Sequence, residues 1–155
     1  MSEILFNKLK LGSNSVKKMQ VGPDIVKYCK LGSTLIYDTF SHYIYEAPVI
    51  TVTYPILSRN GGTVTPTVTY TQKRTKIGHS GNSYGSDTIS GTVTSFTASG
   101  SEVDHSGATI VSTTGVVSRD SLGTTLKNSE WNIMNVTISA TINGKSGSGS
   151  ATVKM

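Results

Sequence analysis

From residue 48 to the end of the chain, apolar and hydroxyl-bearing residues alternate along runs that glycine and proline interrupt, and a helix cannot use such a pattern. Alternation sends successive side chains to opposite faces, which is the period of a strand. A helix needs apolar residues three and four apart. The runs are VITVTYPIL (49–57), TVTPTVTYTQK (63–73), TISGTVTSFTA (88–98), ATIVSTTGVVS (108–118), EWNIMNVTISATI (130–142) and a closing SATVKM. Pro55 and Pro66 mark strand breaks or edges, because proline cannot donate to a ladder. In the last hairpin Val136, Ile138, Ala140 and Ile142 point one way, and Asn143-Gly144 supplies the tight turn. Strands at this spacing predict a β-sandwich of about seven strands. With 35% hydrophobic and 15% charged residues, its core is modest and built from Val and Ile.

The first forty residues follow a different rule. Glycines recur at 12, 22 and 32, in Leu11-Gly12-Ser13, Val21-Gly22-Pro23 and Leu31-Gly32-Ser33, a ten-residue period too short for a helical repeat. Each unit reads as strand, turn, strand: Lys8–Leu11 alternates, Gly12–Ser15 turns and Val16–Met19 begins the next strand. The expected product is a small β-meander with Leu9, Leu11, Met19, Val21, Ile25, Tyr28, Leu31, Leu35 and Tyr37 on one face and lysines on the other. A sheet of that size is marginal in water, so it needs a partner. Residues 39–47, TFSHYIYEA, form an aromatic hinge. Its Tyr43-Ile44-Tyr45 is either a strand or linker capping the sandwich edge, or a stacking surface for carbohydrate or peptide. The expected division is residues 1–46 and residues 47–155.

The chain carries a net charge of +5 and a pI near 9.4, which raises the question of anionic partners. Basic residues occur in both parts, and their one dense cluster, Lys73-Arg74-Thr75-Lys76, reads as a solvated loop or an edge strand. Tyr70 alone beside it makes no stacking platform, which disfavours nucleic acid. Cys29 is the single cysteine, so neither an intrachain disulfide nor a cysteine metal site is expected. No apolar run reaches membrane-spanning length, and the Met-Ser-Glu start lacks a signal region, so cytoplasmic synthesis without export is expected and no membrane partner. The Asn135-Val136-Thr137 sequon is then accidental.

A search for chemistry returns little. Gly81-Asn82-Ser83-Tyr84-Gly85 matches the Gly-x-Ser-x-Gly pattern of serine hydrolases, but no helix follows it to form the strained elbow. His42, His79 and His105 are far apart, and Asp87, Glu102 and Asp104 read as loop carboxylates. The stretch 101–105, SEVDH, reads as a solvated turn. Trp131 and Met134 read as a rim or core plug. No catalytic residue, metal ligand or cofactor is expected, and an enzyme is the least supported class.

The phrase ending LGSTLIYD, the intermediate TGVVSRDSLGTT and the terminus MNVTISATINGKSGSGSATVKM together resemble the immunoglobulin-like modules of virion proteins from tailed bacteriophages, especially the crAss-like type. Pro23, standing where the repeat has serine, departs from the pattern. The resemblance implies an all-β chain, an Ig-like β-sandwich preceded by the β-meander of ten-residue repeats. It implies an auxiliary or decoration protein on the capsid surface, present in many copies, without catalytic residues. Its partner is the major capsid protein or another virion protein. Docking is expected through Leu9, Leu11, Lys17, Lys18, Val21, Tyr28, Leu31 and Tyr37, with the meander lysines either pairing acidic patches or keeping a short edge soluble. The alternative is weak adhesion to glycans or a host surface from the capsid or tail, with Tyr43, Tyr45 and Tyr84 as contacts.

Overall fold

The computed structural model describes residues 10–11, 14–15, 20–21, 24–31, 33–103, 106–121 and 131–155. All regular structure among them is β, and every register given is antiparallel. Three short ladders come first: β1 (Lys10–Leu11) with β2 (Asn14–Ser15), β3 (Gln20–Val21) with β4 (Asp24–Ile25), and β5 (Tyr28–Leu31) with β6 (Thr34–Asp38). Leu11 faces Asn14, Val21 faces Asp24 and Leu31 faces Thr34. Asn14 and Ser15, expected in a turn, are strand residues instead. Only two positions separate the paired strands, the shortest connection a hairpin allows. The ladders are separate two-stranded sheets among the described residues, rather than one continuous meander. Val16–Met19, expected to begin the next strand, lie outside the described residues, as do Leu9 and the turn glycines.

The remaining strands are β7 (Phe40–Tyr45), β8 (Val49–Thr53), β9 (Gly62–Val64), β10 (Thr67–Gly78), β11 (Ser83–Thr92) and β12 (Thr97–Glu102). They continue with β13 (Thr109–Ile110), β14 (Val117–Arg119), β15 (Asn132–Ile142) and β16 (Lys145–Lys154). Pro55 and Pro66 fall between strands, as their missing donors require. Residues 39–47, read as a hinge, hold β7, which pairs with β10 from Arg74↔Tyr45 to Gly78↔Phe40. The glycine-rich segment 77–87, read as a loop, is mostly strand. Only residues 79–82 turn, closed by Gly78 N–H to the Asn82 carbonyl at 3.0 Å.

The chain forms two compact units. Met1–Tyr45 and Lys73–Thr88 make the first, and Glu46–Gln72 with Ile89–Met155 the second. Strand β10 therefore contributes residues to both. Lys73–Thr88, assigned to the sandwich from sequence, groups with the N-terminal residues.

In the second unit β8 pairs with the first half of β10, β15 lies between β12 and β16, and β14 lies between β9 and β13. These sheets turn their apolar positions onto one core. Val117, Ile133, Ile138 and Val153 are fully buried, with Val52, Val64, Val68 and Val136 around them. Burying each such side chain contributes about 1.5–3 kcal/mol. Two glycines on β16 allow close approach of β8: a Cβ at Gly147 would collide with the Pro48 carbonyl, and one at Gly149 with that of Ile50. Asn143 (φ 49°) and Gly144 (φ 74°) make the β15–β16 turn, a left-handed pair that Asn-Gly adopts at little cost. Gln72, 1% exposed, holds that turn. Its Nε2 donates to the carbonyls of Glu46 (2.8 Å) and Ile142 (3.1 Å), and its Oε1 accepts from Asn143 Nδ2 at 2.9 Å. The Tyr54 hydroxyl donates to the Gly115 carbonyl at 2.7 Å, and burial pushes its pKa up to about 12.

Outward positions of the same sheets carry hydroxyls rather than charges. On one face Thr97, Ser139 and Ser148 share a row, followed by Ser99, Thr137 and Ser150. Thr137 and Ser150 are hydrogen-bonded at 2.9 Å, and Thr141 and Ser146 at 3.1 Å. On the opposite sheet Thr51 faces Thr69 and Thr53 faces Thr67, all exposed.

Candidate functional site

The first unit brings together the side chains most suited to contact. Strand alternation puts Tyr43 and Tyr45 of β7 on one face, opposite Lys76 and Arg74 of β10. Their ring centroids are 6.0 Å apart, and Phe40 lies 4.8 Å from Tyr43 across a bulge at Ile77/Gly78. Arg74 sits with its guanidinium carbon 4.2 Å from the Tyr43 ring centre. The same guanidinium forks onto Asp87 of β11, with Nε to Oδ1 at 2.7 Å and Nη2 to Oδ2 at 3.0 Å. This bidentate bond, with the Arg74 and Lys76 charges, holds the Asp87 carboxyl below its usual pKa, and the same bond with the Asp87 charge raises that of Arg74. The result is an aromatic ledge with one compensated cation and the additional charge of Lys76.

Tyr84 is elsewhere. It stands on β11 just before Gly85, whose positive φ of 103° interrupts the alternation of the strand, and it reaches the end of β6 instead of joining the ring contacts of Tyr43 and Tyr45. There the Tyr84 hydroxyl donates to the carboxylate of Asp38, which is fully buried. Asp38 also accepts from Ser80 Oγ (2.6 Å), from Thr39 N–H (2.9 Å) and from Ser80 N–H (3.3 Å). His79 Nδ1 is 3.0 Å from the Thr39 hydroxyl, whose proton goes to the Lys27 carbonyl at 2.9 Å. Any Cβ at Gly78 would strike Asp38 and Tyr84, so the carboxylate reaches its donors only over a glycine. This node ties the end of β6 to the β10–β11 turn. Of the three tyrosines named from sequence, two converge and the third anchors structure.

Ser83 of the Gly-x-Ser-x-Gly match is exposed at the start of β11, within a hairpin, without the strand-to-helix elbow that such chemistry uses. Among the described residues no group of three His, Cys, Asp or Glu is placed to hold a metal, and no helix is long and apolar enough to cross a membrane. Glu102 accepts from Gly107 N–H and the Ser106 hydroxyl donates to the Ile133 carbonyl at 2.7 Å, while Asp104 and His105 lie outside the described residues. Trp131 is partly buried against the core beneath Arg119, whose guanidinium carbon is 5.0 Å from its ring centre, and Met134 is buried.

Of the residues named for docking, Lys17 and Lys18 lie outside the described residues together with Leu9. Leu11, Val21 and Leu31 occupy equivalent positions beside the three turns, and Tyr28 and Tyr37 stand on β5 and β6. The Lys73–Lys76 cluster is neither loop nor edge: at Arg74–Lys76 it lies in β10, which has β7 on one side and β11 on the other. The chain matches no protein-family model, no curated protein and no solved structure.

Proposed function

We propose that this chain is a non-catalytic structural protein of a tailed-phage particle, an auxiliary or decoration protein of the capsid that attaches through its N-terminal repeat and displays an Ig-like sandwich. The observation that carries this reading is the division of labour along the chain. Three hairpins at ten-residue spacing, each too small to stand alone, precede a unit with a complete core of its own. Hairpins of that size gain their stability from what they lie against, and a neighbouring virion protein, such as the major capsid protein, supplies it.

The test is incorporation. Particles would be assembled with the chain carrying Leu11→Asp, Val21→Asp and Leu31→Asp, and located by cryo-electron microscopy beside wild-type particles. Loss of capsid density with an unchanged melting temperature of the sandwich is the expected result. Full incorporation of the variant, or wild-type density on the tail alone, would sink the reading.

A second reading is favoured by one observation, the convergence of Tyr43, Tyr45 and Arg74 on one face. Aromatic rings beside a guanidinium suit weak contact with glycans, made effective by many copies. Tyr45→Ala is expected to lower retention of particles on a glycan surface at unchanged assembly; equal retention would end it.

A further inference from the structure

The two units differ in charge in a way the whole chain conceals. Residues 1–45 and 73–88 hold nine of the 14 Lys and Arg but four of the nine Asp and Glu, so the first unit carries the entire net charge of +5. The second unit holds the remaining five of each sign and is neutral. Basic residues do occur in both parts, as the sequence reading has it, but only in one are they left uncompensated.

We infer that the first unit binds an acidic protein surface, and that attachment is electrostatic. The inference rests on the attachment proposed above and names the chemistry of the partner. In the sequence lysines return after ten residues, Lys8 with Lys18 and Lys17 with Lys27, or after twenty, Lys10 with Lys30. Lys10 and Lys30 also stand at equivalent ladder positions, each just before the apolar residue beside its turn.

Solubility does not explain the excess. The sandwich keeps its broad faces wet with Thr and Ser at no net charge, so a protective lysine surplus is not how this chain covers a sheet. Nor does the pattern suit nucleic acid. Between residues 8 and 31 the sequence mixes lysines with apolar residues, which matches an interface that buries apolar area and pairs charge at its rim, whereas a phosphate backbone is met by dense Lys and Arg, a density that only Lys73-Arg74-Thr75-Lys76 reaches. The one arginine of the first unit is already held by Asp87.

Two triple variants of the full chain with equal change in charge separate local from total charge. One carries Lys17→Glu, Lys18→Glu and Lys27→Glu; the other carries Arg59→Glu, Lys145→Glu and Lys154→Glu. Each would be run on immobilised poly-L-glutamate and on immobilised double-stranded DNA over a salt gradient, then offered to particles stripped of this protein. Wild type and the second variant are expected to stay bound to polyglutamate, with affinity falling roughly tenfold or more between about 50 and 300 mM salt. The first variant is expected to flow through. Equal loss in both variants, salt-independent retention, or stronger retention on DNA that depends on the same lysines would overturn the inference. Lysine-dependent retention on polyglutamate without attachment to particles at any salt would uphold the inference and reject the particle reading, so the two fail separately.

Discussion

The two units of this chain solve the problem of being a sheet in water by different means. Every member of the principal apolar core among the described residues, from Ile50 to Met155, belongs to the second unit, and its outer faces carry neutral hydroxyls. The first unit is held by polar nodes, the buried Asp38 carboxylate and the Arg74–Asp87 fork, and carries all the net charge. One is stabilised by what it buries within itself. The other relies on polar contacts among its own residues. A uniform Thr- and Ser-rich composition therefore conceals one unit built on an apolar core and another built on polar contacts, and substitutions should sort by unit.

The largest effect is expected where backbone lies against backbone. In the second unit Gly149→Val puts a branched side chain onto the Ile50 carbonyl, and a loss of about 3 kcal/mol or more is expected from overpacking at a contact that cannot relax. Thermal unfolding followed by Trp131 fluorescence reads it. A melting temperature within a degree or two of wild type would mean that β8 does not depend on the glycine face of β16, and the contrast between units would lose its stable half.

Next comes Gln72→Leu, which keeps volume but strands two carbonyls and the Asn143 amide. With Gln72 1% exposed, a loss of about 2–3 kcal/mol in urea unfolding is expected. Because all three partners lie in the second unit, the Asp38 node should be unaffected.

How much of this was legible in the sequence differs between the units for the same physical reason. The β15–β16 hairpin announces itself, since alternation and Asn143-Gly144 are local signals that the core reinforces. Pro55 and Pro66 are equally local. Asp38, Gln72 and Arg74 were not found, because their partners stand 42, 70 and 13 residues away. Nothing in a polar residue's own neighbourhood says that it will be buried. One signal for Arg74 was present: folding the chain about the turn at 79–82 lays Arg74 beside Asp87. Reading that turn as a long loop concealed the pairing, and with it the bond between Tyr84 and Asp38. The unit charges were also unreadable, since the return of Lys73–Thr88 to the N-terminal unit is a tertiary event.

A third variant acts on the first unit alone. Asp38→Ala takes the carboxylate acceptor from the Tyr84 and Ser80 hydroxyls and from the Ser80 N–H, while the Thr39 N–H keeps its bond to the Lys27 carbonyl, at a local penalty of about 1–3 kcal/mol. Amide exchange should quicken across residues 79–84 while the unfolding midpoint of the second unit stays put. A matching fall in both would show that the units unfold as one and that their separate stabilisation is wrong.

The smallest effect belongs to the Arg74–Asp87 fork, which lies in solvent. Its pH dependence nevertheless has a definite sign. The carboxyl of Asp87 is held below its usual value by the Arg74 bond, so its contribution is present above the ordinary Asp range near pH ~4 and disappears as pH falls through the depressed value. Asp87→Asn should therefore flatten the acid limb of local stability in the first unit, leave the limb of the sandwich alone, and lose its effect in high salt, since exposed pairs are screened. A double-mutant cycle with Arg74→Gln isolates the pair from the contact between Arg74 and the Tyr43 ring. If Arg74→Gln perturbs Tyr43 fluorescence but Asp87→Asn does not, the ring holds the guanidinium and the carboxylate only tunes it. The reverse result would make Asp87 the residue that aims Arg74 across the aromatic ledge.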